Sequence, residues 1–237
     1  AYSSAASDVY KRQNPLYGFF VARAGLGASE SMRSKLAEYN DPRLSRAFIT
    51  KQGTSGKEQA PGTADNAVYA PNGTPEQGTS KYGTSLFMYS ISAPTLLLSY
   101  HELKFLEAEA LCRLERDAKS ALKDAVVAGL LNAENSFTIS RKELGKTLIN
   151  AASSITEAEA ESYFDNTIEA KYTAEPLKTT MTQKYFALWG ASGEATESYN
   201  DVRRMKGLGE NFIELKNPNS FPLRCPYAVS YTHLRAH

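Results

Sequence analysis

The chain has 237 residues, 42% of them hydrophobic, with 27 lysines and arginines against 26 acids and a net charge of +1. That length supports one sizeable core or two small ones, and the absence of a basic excess argues against a nucleic-acid partner. No run approaches ~18 uninterrupted apolar residues, so no membrane-spanning helix is expected.

Cys112 and Cys225 lie far apart without CxxC spacing, so buried thiols are expected rather than a zinc knuckle or a disulfide framework. Fourteen tyrosines suit carbohydrate or protein contact surfaces. The ends, "AYSSAASDVYKRQ" and "SYTHLRAH", carry no helical or alternating apolar period that would dock them on a core. They read as non-native, adaptor-derived tails over 1–13 and 229–237, leaving 14–228 as one partial domain with His101 its only histidine.

In chain order, "NPLYGFF" comes first, then "SESMRSKLAEYNDPRL". There Ser29 is a predicted N-cap, Met32, Leu36 and Tyr39 recur at helical spacing, and Asp41-Pro42 stops the run. The stretch 53–85, rich in glycine, proline, serine and threonine, can sustain no helix and reads as a long functional or disordered loop insertion. Tyr69 and Tyr82 lie within it. From Ala93 the pattern is helical. Pro94 suits the first turn of a helix to about Arg116, and a second covers about Ala118–Ala128, closed by Gly129. "SRKE" (140–143) and "TEAE" (156–159) match capping boxes. Pro176 opens a helix with a Leu177, Met181, Tyr185 and Leu188 stripe; Ala195, Tyr199 and Val202 mark the next. After Gly207 and Gly209 the chain is expected to be extended through "FPLRCPY". The class is mainly α.

The segment "LSYHELKFLEAEALCRL" (98–114) decides between a reaction centre and packing. On a helical wheel Leu96, Tyr100, Leu103, Leu106, Ala110 and Leu114 share one face, and His101, Phe105, Ala108 and Cys112 lie nearly opposite. Between them runs a narrow polar edge of Glu102, Glu109 and Arg113, with Glu109 and Arg113 an i,i+4 pair. A helix apolar on two sides is expected between neighbours. A helical metal pair needs a ligand three or four residues from His101, where Lys104 and Phe105 stand, so a packed histidine is expected and no metal. Glu107, on the Leu103 face, reads as a buried carboxylate, with a functional acid as the alternative.

No catalytic residues emerge. G-x-S-x-G, P-loop and G-x-G-x-x-G patterns are absent, and Cys112 and His101 sit about three turns apart on their helix. Asp201, Arg203 and Arg204 in "NDVRR" read as an ion-pair cluster, with anion binding as the alternative. Paired carboxylates for glycoside cleavage stay open, but no glutamate stands in a recognisable catalytic context.

Several stretches in order resemble one family. "APTLLLSYHELKFLEAEALCRL" is similar to a helix of SusD/RagB-type proteins. "TTMTQKYFALWG…ESYNDVRRMKGLGENF" resembles their Q-K-W/Y…L…W/Y-x-D/E-x-R-R segment through Gln183, Lys184, Tyr185, Leu188, Tyr199, Asp201, Arg203 and Arg204. "FPLRCPY" matches the closing P-x-R-x-x-Y stretch through Pro222, Arg224 and Tyr227, and "DPRL" (41–44) a marker upstream. The order resembles the second half of a SusD-like type 2 protein over about 14–228.

The resemblance implies tetratricopeptide-like helical hairpins with long irregular loops, truncated here; "AEALCRLERDAKSALKDAV" looks like one such repeat, with Ala108, Ala118 and Ala121 letting two helices approach. It implies a Bacteroidetes surface lipoprotein of the outer membrane that captures oligosaccharides or peptides over a SusC-like TonB-dependent transporter, without catalysis or cofactor. The half bearing the lipid-anchor cysteine is expected outside this fragment. Aromatic rings would stack on sugar faces while asparagine, threonine and arginine satisfy hydroxyls, with Tyr69, Asn72 and Tyr82 as the candidate ligand-binding residues. Asn72-Gly73-Thr74 reads as a turn, and Trp189 as core. Two alternatives remain: a helical-repeat scaffold for a protein partner, and a helical glycan-processing enzyme.

Overall fold

Two helical hairpins laid side by side organise the chain. The computed structural model describes residues 13–22, 27–49, 69–73, 82–145 and 153–216; the tails outside 13–228, most of the 53–85 stretch and "FPLRCPY" lie outside the described residues. Helix α1 spans Pro15–Ala22, opened by Asn14, whose Oδ1 accepts the Leu16 N–H at 2.9 Å. Helix α2 spans Glu30–Glu38, and Ser29 Oγ caps it by accepting the Met32 N–H at 3.2 Å. Met32, Leu36 and Tyr39 are all buried, as their spacing predicts. A two-residue antiparallel pair, β1 (Phe48–Ile49) with β2 (Thr84–Ser85), follows in the register Phe48 to Ser85. A 3₁₀ turn over Leu86–Tyr89 leads onward.

The first hairpin is α3 (Tyr100–Arg113) with α4 (Lys119–Leu144). Ala108, Ala118 and Ala121 are buried between them, so the helices approach where side chains are smallest. Tyr172 pins the turn, its hydroxyl accepting the Ala118 N–H at 2.7 Å. The second hairpin starts with α5 (Glu157–Tyr163), passes through a π turn over Phe164–Ile168 into α6 (Glu169–Ala174), and returns as α7 (Pro176–Leu188). "TEAE" opens α5 as predicted, with Thr156 Oγ accepting the Glu159 N–H at 3.2 Å. After a 3₁₀ turn at Ser192–Glu194 comes α8 (Ala195–Gly207). The main core gathers Phe105, Phe137, Phe164 and Phe186, all fully buried, while Met181, Val202, Met205 and Ile213 fasten α8 to α7 in a smaller cluster. None of the described helices is long and apolar enough to cross a membrane.

Helix α7 is the central rod. Thr179 through Lys184 and Phe186 through Leu188 are buried, leaving little of it to solvent. At its end Gly190 turns with φ +79°, and a Cβ there would overlap the Phe87 ring. Trp189 packs beside that glycine against Phe48 and Phe87, ring centroids 5.4 and 5.0 Å away, so it belongs to the core.

Four local expectations fail for tertiary reasons. Pro94 does not open α3, which begins six residues later where Ser99 Oγ accepts the Glu102 N–H at 3.1 Å. Gly129 does not end α4, which runs on to Leu144. A Cβ at Gly129 would stand 3.1 Å from the Ala187 Cβ, so the glycine admits α7, and that packing outweighs its cost of about 1 kcal/mol in a helix. "SRKE" caps nothing: Ser140 lies inside α4 and its Oγ donates to the Leu86 carbonyl at 2.5 Å. Finally, α3 is not sandwiched. Its His101, Phe105 and Ala108 face is buried, but Tyr100, Leu103, Leu106 and Leu114 are 58%, 52%, 42% and 64% exposed. Glu107 on that face is therefore exposed and paired with Lys104 at 3.0 Å, while Glu102 and Glu109 are the buried acids.

Candidate functional site

The α3 histidine packs. His101 is 2% exposed, with Nε2 3.7 Å from a carboxylate oxygen of the fully buried Glu194 side chain. Burial, reinforced by Arg43, pulls its pKa down to about 4, so the imidazole is neutral at ordinary pH. Beside it Glu102 is pushed the other way, up to about 7, by burial and then by the neighbouring Glu194 carboxylate. Among the described residues, no group of three histidine, cysteine or acidic side chains has the geometry to hold a metal ion. Cys112, on the same face about three turns further on, is half-buried rather than buried, its Sγ 3.6 Å from Thr180 Oγ1.

Along the other edge of α3 the "NDVRR" charges form the ion-pair cluster their spacing predicts. Lys184, almost wholly buried, meets Asp201 at 2.7 Å. Arg204 bonds both Glu109 and Asp201, and Arg113 joins Glu109 at 2.7 Å and Glu210 at 2.9 Å. Burial alone would raise the Glu109 pKa, but hydrogen bonds from Arg204 and Arg113 hold it below the usual carboxylate range. Arg203 stands apart, its guanidinium 5.6 Å from the Tyr199 ring centroid. A hollow of about 550 Å³ opens over this cluster, and His101 does not line it.

A larger groove of about 610 Å³ lies on another side of the molecule, between α2, α7 and the segment after α8. Ser31, Ser34 and Lys35 line it from α2, Lys178 and Thr182 from α7, and Phe212 from the chain beyond α8. Tyr39 and Phe186 form an apolar part of the wall, their rings edge to face at 5.3 Å. Glu30, Glu38 and Glu214 balance Lys35, Lys178 and Lys216 along it, so the groove has no net formal charge. Several of those charges are already engaged: Lys178 with Glu175 at 2.8 Å, and Lys216 with Glu214 at 2.7 Å. Burial lowers the Lys35 pKa, and its ammonium donates to Ser31 Oγ at 3.0 Å. The arrangement presents hydroxyls and apolar surface without a strong field. Such a lining suits a neutral polar ligand.

Of the sequence candidates, Asn72 lines this groove, and its Oδ1 accepts the Ser29 hydroxyl hydrogen at 2.8 Å. It stands in the turn its Asn-Gly pair predicts, with Gly73 at φ +73°. Tyr69 is half-buried behind it, its ring edge to face with Phe48 at 5.0 Å and 5.7 Å from the Arg33 guanidinium. Tyr82 is half-buried just ahead of β2. Of the three, Asn72 alone lines the groove, held beside α2 by the parallel bridge of Ser29 with Ala70, while Tyr69 packs against the core and neither it nor Tyr82 lines the groove. Tyr39, Lys178, Thr182 and Phe212 were not among the sequence candidates. They come from three separate segments, each of which reads locally as packing or surface.

The comparisons agree with this architecture. The family model described as "Starch-binding associating with outer membrane", SusD-like type 2, matches residues 3–227. No curated protein matches the chain. A crystal structure of a SusD/RagB family protein from Bacteroides thetaiotaomicron is 58% identical with a TM-score of 0.86, covering 94% of this chain and 48% of its own. A Bacteroides vulgatus structure, whose description points to the outer membrane and nutrient binding, shares the fold at 19% identity and a TM-score of 0.56, covering 87% of this chain and 45% of its own. The chain therefore spans about half the length of these relatives. Helical hairpins, the matched motifs and this likeness converge: the chain belongs to the SusD/RagB family.

Proposed function

We propose that the protein captures nutrient oligosaccharides, or peptides, at the outer membrane surface without altering them, and passes them to a SusC-like TonB-dependent transporter. Family membership supports the nutrient-binding role, and the groove beside Asn72 is the observation that carries the site. Its mixed hydroxyl and apolar lining suits a sugar, whose rings have apolar faces and polar edges. In this reading Asn72 contacts ligand hydroxyls directly, and Tyr69 and Tyr82 are the proposed aromatic contacts outside the lining of the groove. The whole protein is anchored as a surface lipoprotein through a lipid-bearing cysteine in the part of the family chain that this one does not span.

Calorimetric titration of the chain with a panel of neutral oligosaccharides and peptides tests the proposal, with chromatography of the mixtures afterwards. Saturable binding weakened by Asn72→Ala, with ligands recovered intact, is the expected result. Ligand cleavage would point instead to a glycan-processing enzyme, and silence across the panel would remove the groove as a capture site.

A further inference from the structure

Around the hollow between α3 and α8 the charges do not balance. The three cations that line it are matched: Arg113 by Glu109 and Glu210, Arg204 by Glu109 and Asp201, and Lys184 by Asp201. Glu102 and Glu197 line it too, and among the described residues neither has a lysine or arginine within ion-pair distance. The half-buried Glu197 accepts only from the Asn200 side-chain amide, at 3.3 Å. Glu102 is 6% exposed and meets another acid, Glu194. Both Glu194 carboxylate oxygens are buried without a hydrogen-bond partner, and so is His101 Nε2, 3.7 Å from one of them. Arg43, whose charge also reaches His101, is held by Asp41. A buried carboxylate needs a cation or hydrogen-bond donors beside it, and two neighbouring ones cannot both be charged without them.

We propose that this hollow binds a primary ammonium group, gripped by the Glu102 and Glu197 carboxylates with Glu194 adding its charge from behind. The sign of the surplus chooses the ligand. Arg113, Lys184 and Arg204 are committed to Glu109, Asp201 and Glu210, so none is left to take an anion. Leu106 and Ala110 line the same hollow from α3, an apolar bed for the carbon stem of an amine beside its charged head. A metal ion suits the place less well, because the described residues form no compact group of three ligands, whereas an ammonium takes separate acceptors about 2.8 Å away. In the free protein the two touching acids hold a proton between them, in keeping with the burial that raises the Glu102 pKa to about 7. The arriving ammonium takes that proton's place, and the proton leaves to solvent. No residue lines both this hollow and the groove beside Asn72, so the two sites are separate. A lysine side chain and an amino sugar carry the same ammonium, and the test tells them apart.

The experiment is calorimetric titration of the chain near pH 6 in two buffers of different ionisation enthalpy. The probes are trilysine and a glucosamine trimer, each beside its fully N-acetylated form. The expected result is saturable binding of at least one free amine with release of about one proton, and no proton release with either acetylated form. Whichever amine responds names the source of the ammonium. Glu102→Gln should weaken that binding about tenfold and suppress the proton release. Glu197→Gln, a change at the rim that leaves the packing alone, should weaken it several-fold and keep the proton release. Glu107→Gln, exposed on α3 outside the hollow, should change nothing. Silence from both amines would overturn the proposal, as would binding that ignores both Glu102→Gln and Glu197→Gln. Calcium binding that Glu102→Gln abolishes would overturn it as well, because the occupant would then be a metal ion.

Discussion

Arg43 donates from Nη1 to the carbonyl oxygen of Phe186, 2.8 Å away in space and 143 residues along the chain. Its other nitrogens hold Asp41 in a fork, Nε to Oδ1 at 2.8 Å and Nη2 to Oδ2 at 2.6 Å. The pair is buried, and the Tyr163 hydroxyl, 3.4 Å from Asp41 Oδ2, closes the cage. This clamp fixes the end of α2 against the end of α7, and so positions two of the three groove walls. Arg43→Ala leaves a buried carboxylate without its cation, and a loss of about 3–5 kcal/mol is expected in urea denaturation. Asp41→Asn leaves the buried guanidinium without its anion, and a loss of the same order is expected. Equal stabilities for wild type and Arg43→Ala would show that the clamp is not what joins the helices.

Two buried titrating groups make opposite contributions to stability across pH. The Glu102 pKa is raised from 4.5 to about 7, so its contribution is complete below pH 4.5 and is lost as pH rises through 7. The His101 pKa is lowered from 6.5 to about 4, so its contribution is complete above pH 6.5 and is lost as pH falls through 4. Glu102→Gln should remove the first loss and make the variant gain on wild type between pH 5 and 8, within about a unit of the quoted values. Denaturation midpoints across that range provide the measurement, and parallel curves for the two proteins would contradict the assignment.

Gly190 allows the chain to leave α7 beneath the Phe87 ring. Gly190→Ala combines a positive φ with a side chain inside an aromatic ring, so a loss of about 2–4 kcal/mol is expected. Thermal unfolding will report it, and pairing the variant with Phe87→Leu should recover part of the loss by opening space. A neutral Gly190→Ala would mean that the end of α7 is free to shift.

In the groove, Asn72→Ala should weaken oligosaccharide binding about tenfold, the effect of losing one or two polar contacts. Its stability cost should stay near 1 kcal/mol, for the Ser29 hydrogen bond alone. Tyr69→Ala is expected to cost more stability, because its ring packs on Phe48. Tyr82→Ala is the third arm of the titration. Binding unchanged in all three variants would move the site elsewhere on the family fold.

Local patterns carried much of the helical architecture. Ser29 and Thr156 cap helices because a side-chain oxygen two or three residues before a free N–H needs no distant partner. Pro176 sits in the first helical turn for the equally local reason that its missing N–H has no bond to lose there. The failures were places where a distant segment outweighed the local signal. Gly129 reads as a stop until Ala187 presses on it, and Ser140 reads as a cap until the Leu86 carbonyl takes its hydroxyl. The α3 wheel separated the faces correctly, yet periodicity cannot say which of two apolar faces meets a neighbour within this chain.

By itself the sequence determined helical class, most helix starts, the ion-pair chemistry of Asp201 and Arg204, and the family, because these rest on residue type and short spacing. Tertiary structure alone decided that Glu194 stands beside His101, that Glu102 is buried and Glu107 is not, and that Tyr39, Thr182 and Phe212 share a groove with Asn72. Those relationships join segments tens to more than a hundred residues apart, and it is the packing of whole helices that sets them.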